Sequence, residues 1–379
     1  MANLVLAVIA FGALIFVHEL GHFLIAKRVG VTVYAFALGF GPRLIGFTRG
    51  ETRYAINAFP LGGYVRLAGE DLDASTDPGS FRSKTVWQRI AVVAAGPLMN
   101  ILLAIVLTTS TALIWGIPVG TSNHIARLVT SGGGMLGWVT GRSAPQTPAQ
   151  TAGLRAGDAI VAIDGVRMDN GDSVVEAIHS TPYSPVPPSI ERWLPPDDLT
   201  AIRQRVLTIE REGKRFEVTV TPRLDPRLRI GLIGFAVETL HERVGPVQAV
   251  VYGFVVTWRY VDGILSTVSG LAGNPRELFN QLAGPVGAGK ILGDAAQVGI
   301  WSYIDTAAVL SVTIGIFNLL PVPALDGGRL LFLAVEAVRR RPMNPRLEAY
   351  VHVAGFALLL LLLVTLTWRD IVRQLTGGM

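Results

Sequence analysis

No cysteine occurs among the 379 residues. Its absence rules out thiolate metal ligands, a cysteine nucleophile and any disulfide staple, so a metal in this protein must be held by nitrogen and oxygen. Charge is scarce too. Asp, Glu, Lys and Arg make up 16% of the chain and hydrophobic residues half of it, a balance that points to an integral membrane protein.

Charge is missing above all from four stretches long enough to cross about 30 Å of hydrocarbon, residues 3–26, 91–117, 306–325 and 350–368. Residues 244–273 are a fifth candidate, but Arg259 and Asp262 interrupt them near the middle. They read as an amphipathic helix lying on the membrane surface. The first stretch lacks a basic leading region and runs into Lys27-Arg28 without a small-residue cleavage site, so a retained helix is expected rather than a signal peptide.

Between Lys27 and Arg89 there are nine Lys or Arg against five acids, and between Asp326 and Ala349 five against three. By the positive-inside rule both loops face the cytosol, which leaves both termini and residues 118–305 outside. The net charge of +5 is accounted for by these loops, and no nucleic-acid partner is implied.

Against this background the run Phe16-Val17-His18-Glu19-Leu20-Gly21-His22-Phe23 stands out, because no other ionisable side chain lies between Met1 and Lys27. Ionisable groups inside the hydrocarbon layer cost roughly 3 kcal/mol or more and tend to survive there only where they serve a site. Residues four apart on a helix sit one turn above each other. Two imidazoles so placed can grip one zinc ion while the intervening glutamate deprotonates water, the H-E-x-x-H arrangement of a zinc hydrolase. A chance match or an interfacial histidine cluster is the bland alternative.

A catalytic zinc takes three protein ligands and a water. Asp326, in Asn318-Leu319-Leu320-Pro321-Val322-Pro323-Ala324-Leu325-Asp326-Gly327-Gly328, is the best candidate for the third. Both the first and third spans run outward to inward, and the histidines lie about 7 to 13 Å from Lys27 at 1.5 Å per residue. Asp326 therefore reaches the same cytosolic end. The prolines and glycines forbid a continuous helix there, and broken backbone at membrane depth is tolerated where it lines a polar cavity. Read alone, Asp326 could equally be a helix cap at the water boundary.

The motifs His18-Glu19-Leu20-Gly21-His22, Gly39-Phe40-Gly41-Pro42, Pro60-Leu61-Gly62-Gly63-Tyr64-Val65, Ala95-Gly96-Pro97-Leu98-Met99-Asn100 and the run from Asn318 to Gly328 occur in this order along the chain. In this the chain resembles the site-2 proteases, zinc metalloproteases that cut inside membranes. Its external domain resembles that of the bacterial branch of regulator-of-sigma-E proteases. The resemblance implies one zinc held by His18, His22 and Asp326, Glu19 as general base, and Asn318 and Pro321 beside the substrate. It also implies that residues 52–67 form a hairpin re-entering the membrane, where Gly62, Gly63, Tyr64 and Val65 align substrate as an added strand. Asn318 could instead only join helices.

Residues 121–224 have the composition of a soluble domain. A strand from Ala159 ends in the tight turn Asp164-Gly165, a short helix is expected over 173–179, and strands over 206–211 and 215–221 flank Glu212-Gly213-Lys214. This looks like a PDZ domain, which adds a peptide strand to a sheet edge; Met135, Leu136, Gly137 and Trp138 are its candidate carboxylate loop and groove strand. A purely structural spacer is the alternative. Some relatives carry two such domains and only one is found here, while six prolines between Thr181 and Pro196 read as an inserted loop. His124, His179, His241 and His352 have no ligand spacing and are expected to stand outside the site.

The expected fold is thus a polytopic α-helical membrane protein with about four transmembrane helices, a membrane-associated β-hairpin and one extracytoplasmic PDZ domain. Its divisions are 1–120 (two spans and the β loop), 121–228 (PDZ), 229–305 (membrane-surface helices) and 306–379 (two spans with Asp-Gly-Gly). Such a protein resides in the bacterial inner membrane with its active site near the cytosolic face. The family implies single-pass membrane substrates, such as an anti-sigma factor or a signal-peptide remnant, already cut outside by a site-1 type protease. A non-enzymatic adaptor has no need of Glu19, and a metal transporter needs an alternating path that a single cluster near one face does not offer.

Overall fold

The long apolar stretches become helices, and two sheet regions lie between them along the chain. The computed structural model describes residues 2–69, 77–128, 146–180, 204–225, 230–271, 273, 282, 284–341 and 343–375. The elements are α1 (Ala2–Arg28), β1 (Val33–Arg49), β2 (Thr52–Leu67), α2 (Val86–Trp115), β3 (Ile117–Leu128), α3 (Pro148–Thr151), β4 (Ala159–Ile163), β5 (Val166–Arg167), α4 (Gly171–His179), β6 (Arg205–Arg211), β7 (Lys214–Val220), β8 (Arg223–Asp225), β9 (Ile230–Leu232), β10 (Phe235–Glu242), α5 (Pro246–Leu271), α6 (Pro285–Val298), α7 (Ile300–Leu319), α8 (Asp326–Arg339) and α9 (Pro345–Leu375). Four of the helices have segments long and apolar enough to cross a membrane, Leu6–Arg28, Val86–Trp115, Ile300–Leu319 and Arg346–Val372. The chain forms two compact units, Met1–Ile114 with Gly245–Val372, and Trp115–Val244.

In the first unit, α1 ends in a Schellman-type cap: Gly30 takes φ +73° and the Val31 amide donates to the Ala26 carbonyl at 2.8 Å. The start of α2 is a capping box, with Gln88 N donating to Thr85 Oγ1 and Thr85 N to Gln88 Oε1. α1 and α2 approach closely through glycine, since a Cβ on Gly21 would overlap the Ala95 carbonyl. Farther along α2, Ala104 packs with Val261 of α5 and Ala308, Val312 and Ile316 of α7. α6 joins α1 and α7 through Ala7, Ala10, Leu292 and Ala307. Its first turn is capped from α9: Asp370 Oδ2 accepts from Gly284 N and Gly287 N, both at 2.9 Å.

Two readings of this unit change and one holds. The third helix runs over Ile300–Leu319 rather than 306–325. Pro321 and Pro323 have no amide hydrogen and turn the residues before them away from helix, so it stops at Leu319; at its other end it accommodates Asp305, whose Oδ1 accepts from the Tyr260 hydroxyl. The helix expected over 244–273 is present as α5, with Arg259 and Asp262 exposed while Val256, Thr257 and Val261 are buried. It packs along α2, where Thr108 Oγ1 donates to the Gly253 carbonyl at 3.2 Å.

The second change is β1, which the sequence does not announce. Residues 33–38 are matched twice, with 63–67 on one edge and with 53–56 on the other, and 43–49 pair with 52–57. β1 and β2 thus fold over each other as four segments, of which 43–49 and 59–67 are outermost. Leu44, Ile45, Phe47 and Phe59 are each at least 60% exposed on this sheet, apolar surface suited to lipid rather than water.

The second unit is built on a sheet in the order β10-β3-β4-β6-β7, with β5 paired to β4. Ile125, Leu154, Ile160, Ile163, Val174, Ile178, Leu207 and Ile209 form its core. The expected helix and strand pair are present, within two residues of the bounds read from sequence. Both hairpins turn on a residue and a glycine with positive φ, Asp164-Gly165 and Glu212-Gly213. β3 and β10 pair with each other, so this unit reaches beyond 121–228 at both ends. Residues 135–138 and 181–196 lie outside the described residues.

Candidate metal centre and active site

His18 and His22 stand one turn apart on α1, 8% and 9% exposed. Their Nε2 atoms are 3.3 Å apart. Asp326 Oδ2 lies 3.1 Å from His18 Nε2 and 3.4 Å from His22 Nε2. The three residues that sequence reading chose from opposite ends of the chain therefore converge on one point.

The surroundings decide what that point can hold. His22 Nδ1 is 2.9 Å from the Val92 carbonyl, an acceptor only, so Nδ1 carries the proton and Nε2 is left as a bare lone pair. Asp326 Oδ2 is buried and has no hydrogen-bond donor. Lone pairs converging on one buried point repel each other unless a cation sits between them. Two imidazole nitrogens and one carboxylate oxygen, with no thiolate, match a catalytic zinc site of the His₂-carboxylate kind.

Local structure explains how each ligand gets there. A Cβ on Gly96 would overlap the His22 ring, so glycine at 96 makes the space the imidazole fills. Pro97 has no amide hydrogen and interrupts the α2 ladder in the same turn. Asp326 opens α8, where the positive end of the helix dipole favours a carboxylate. Gly327 and Gly328 let that first turn close on the Leu319, Leu320 and Val322 carbonyls, which would overlap any Cβ or crowd it. The far end of α8 is tied to α2 by a two-pronged ion pair between Arg89 and Glu336.

Glu19 is half-buried on α1, and the segment of β2 that passes it is the one named from sequence. A Cβ on Gly63 would lie 3.0 Å from Glu19 Cγ and 3.2 Å from Ile15 Cγ2. Gly62 takes φ +131° with no room for a side chain against Phe40, Tyr64 stacks on Phe40, and Val65 pairs with Phe36. Asn318 spends a side-chain N–H on the Ile314 carbonyl at 3.0 Å, and Pro321 stands exposed in the turn after α7.

Two neighbours of the site escape sequence reasoning. His352 of α9, expected to stand apart, accepts from the Ala324 amide at 3.0 Å and so braces the loop two residues before Asp326. Ala324 itself holds φ +73°, a strained conformation that this contact helps to fix. Asn100 of α2 places its amide nitrogen 3.4 Å from His18 Nδ1. The motif Ala95 to Asn100 was a signal for the second, and nothing local signals the first.

A model of peptidase family M50 matches residues 6–362 of the chain. A protein of Rhizobium meliloti (strain 1021) is 36% identical over 373 residues, which cover 94% of this chain and 93% of that protein. The zinc metalloprotease RasP of Geobacillus kaustophilus (strain HTA426) is 32% identical over 451 aligned residues, 98% of each chain. The regulator of sigma-W protease RasP of Bacillus subtilis (strain 168) is 32% identical over 457, covering 98% of this chain and 99% of its own length.

Proposed function

We propose that this chain, which belongs to peptidase family M50, the site-2 proteases, and is a zinc metalloprotease of the inner membrane, cuts single-pass membrane proteins within the bilayer after a first cut outside. The observation that carries the reading is the convergence of ligand atoms of His18, His22 and Asp326 within 4.8 Å of one another, the two histidines standing on a helix apolar enough to cross a membrane. His18 and His22 of α1 and Asp326 of α8 hold the zinc. When bound, the metal supplies Lewis acidity, making a water nucleophilic near neutral pH and polarising the scissile carbonyl. Glu19 accepts the proton of that water and returns it to the leaving amine.

A transmembrane helix hides its amides in internal hydrogen bonds, so the substrate must be unwound before it can react. The outermost β2 segment, 59–67, passes Glu19 with no further strand on its free edge among the described residues, which supports the reading that Gly62, Gly63, Tyr64 and Val65 receive the substrate as an added strand. Asn318 at the end of α7 and Pro321 in the turn leading to Asp326 then lie beside the reacting carbonyl. Both termini and the unit Trp115–Val244 are outside, and the zinc lies near the cytosolic face. The sheet and two short helices of that unit support the reading of a PDZ domain that selects trimmed substrates. An anti-sigma factor or a signal-peptide remnant, prepared by a site-1 type protease, fits this route.

The test is to reconstitute the full chain in liposomes with a single-pass substrate lacking its external domain and to map the products by mass spectrometry. Zinc-dependent cutting inside the hydrophobic segment is the expected result. Cutting only in flanking loops would overturn the intramembrane assignment.

A further inference from the structure

The two histidines are held differently. His22 donates from Nδ1 to a backbone carbonyl, which fixes its tautomer, whereas among the described residues His18 Nδ1 meets the side-chain amide of Asn100 at 3.4 Å. Metal-ligating histidines need such a partner, because an acceptor at Nδ1 keeps the proton there and leaves Nε2 free to ligate. An amide N–H pointing at Nδ1 would do the reverse and send the proton to Nε2, into the metal site.

Asn100 is fully buried, and its Oδ1 has no partner in the orientation that directs Nδ2 to His18. Buried polar atoms are nearly always paired. Turning the amide by half a turn exchanges its oxygen and nitrogen with almost no change of shape, and it brings Oδ1 to the Nδ1 proton that zinc binding requires. The backbone of the same residue is fixed independently, as its carbonyl accepts from Ser311 Oγ at 2.7 Å.

We infer that Asn100 is a positioning residue for the metal centre: its side-chain oxygen accepts from His18 Nδ1 and holds that imidazole in the zinc-binding tautomer. This rests on His18 being a zinc ligand. The backbone bond to Ser311 survives any substitution at 100, so the side chain can be varied while the helix contact is kept.

The experiment compares zinc affinity of the purified full chain, by competition with a chromogenic chelator, for the wild type, Asn100→Leu and Asn100→Asp, with thermal unfolding of the zinc-free forms recorded for each. Leu keeps the volume and removes the acceptor; Asp keeps an acceptor. Affinity is expected to fall about 10- to 100-fold in Asn100→Leu and to stay within about threefold of wild type, or rise, in Asn100→Asp. Wild-type affinity in a folded Asn100→Leu overturns the inference. So does an Asn100→Asp chain that folds yet loses zinc as the Leu chain does, and this second arm decides the matter if the Leu chain fails to fold. A His18→Ala chain with wild-type zinc affinity would instead remove the underlying site assignment.

Discussion

At the scale of single residues, the site depends on one hydrogen atom as much as on its ligands. Gly96 lies against the His22 ring so closely that a methyl group there would overlap it. Gly96→Ala is therefore expected to push the imidazole off the metal and lower zinc content, after dialysis against a mild chelator, by about tenfold or more, with α2 otherwise favoured by alanine. Zinc held as tightly as in the wild type would show that the ring can move aside. His18, Glu19 and His22 were legible in the sequence because ionisable groups are conspicuous in an uncharged span. Gly96 and His352 were not, because their roles are set by contacts 74 and 28 residues away that no local pattern encodes. Asp326 was readable only because the direction of two helices brought it to the right end.

Among elements, the helices followed from apolar length and the strands of the second unit from turn residues, while β1 did not. Its sequence lacks clean alternation, since residues 33–38 are enclosed by partners on both edges and Ala35, Phe36 and Ala37 are all buried. Where β2 meets α1, Gly63→Val would press on Glu19 and Ile15. Cleavage is expected to fall at least tenfold, because misplacing a catalytic group by about 1 Å can cost 100-fold, while zinc content stays at the wild-type level. Loss of zinc together with activity would mean that the sheet supports the metal instead.

In the second unit, Asp158 joins the start of β4 to the end of β6: it is 1% exposed, accepts from Arg211 at 2.6 and 2.8 Å and from the Arg155 amide at 2.7 Å. Burial raises its pKa, but the Arg211 guanidinium outweighs this and holds the carboxyl below its ordinary value. A depressed folded pKa gives stability that is complete above the unfolded value near 3.8 and is lost as pH falls through the folded one. Asp158→Asn should destabilise this unit by about 3 kcal/mol at neutral pH and flatten its stability profile only below about pH 4. A denaturation series across pH 2 to 7 checks both; an unchanged profile would mean that the pair contributes nothing net.

For the whole molecule, function depends on joining residues from opposite ends of a 379-residue chain in one apolar unit, with a soluble-like unit inserted between Ile114 and Gly245. Sparse charge gave the membrane class, and the order of motifs gave the family. The β10 strand was hidden by its position after the expected domain boundary, since its pairing partner β3 lies far back in the chain. In the proposed mechanism Glu19 moves a proton and does not hold the metal. The measurement is zinc per chain and cleavage rate, on one substrate, for the wild type and Glu19→Gln. One zinc in both proteins, with cleavage reduced at least about 100-fold in the variant, is the predicted result. A variant that keeps more than about one hundredth of the wild-type rate, or that loses its zinc along with activity, would contradict it.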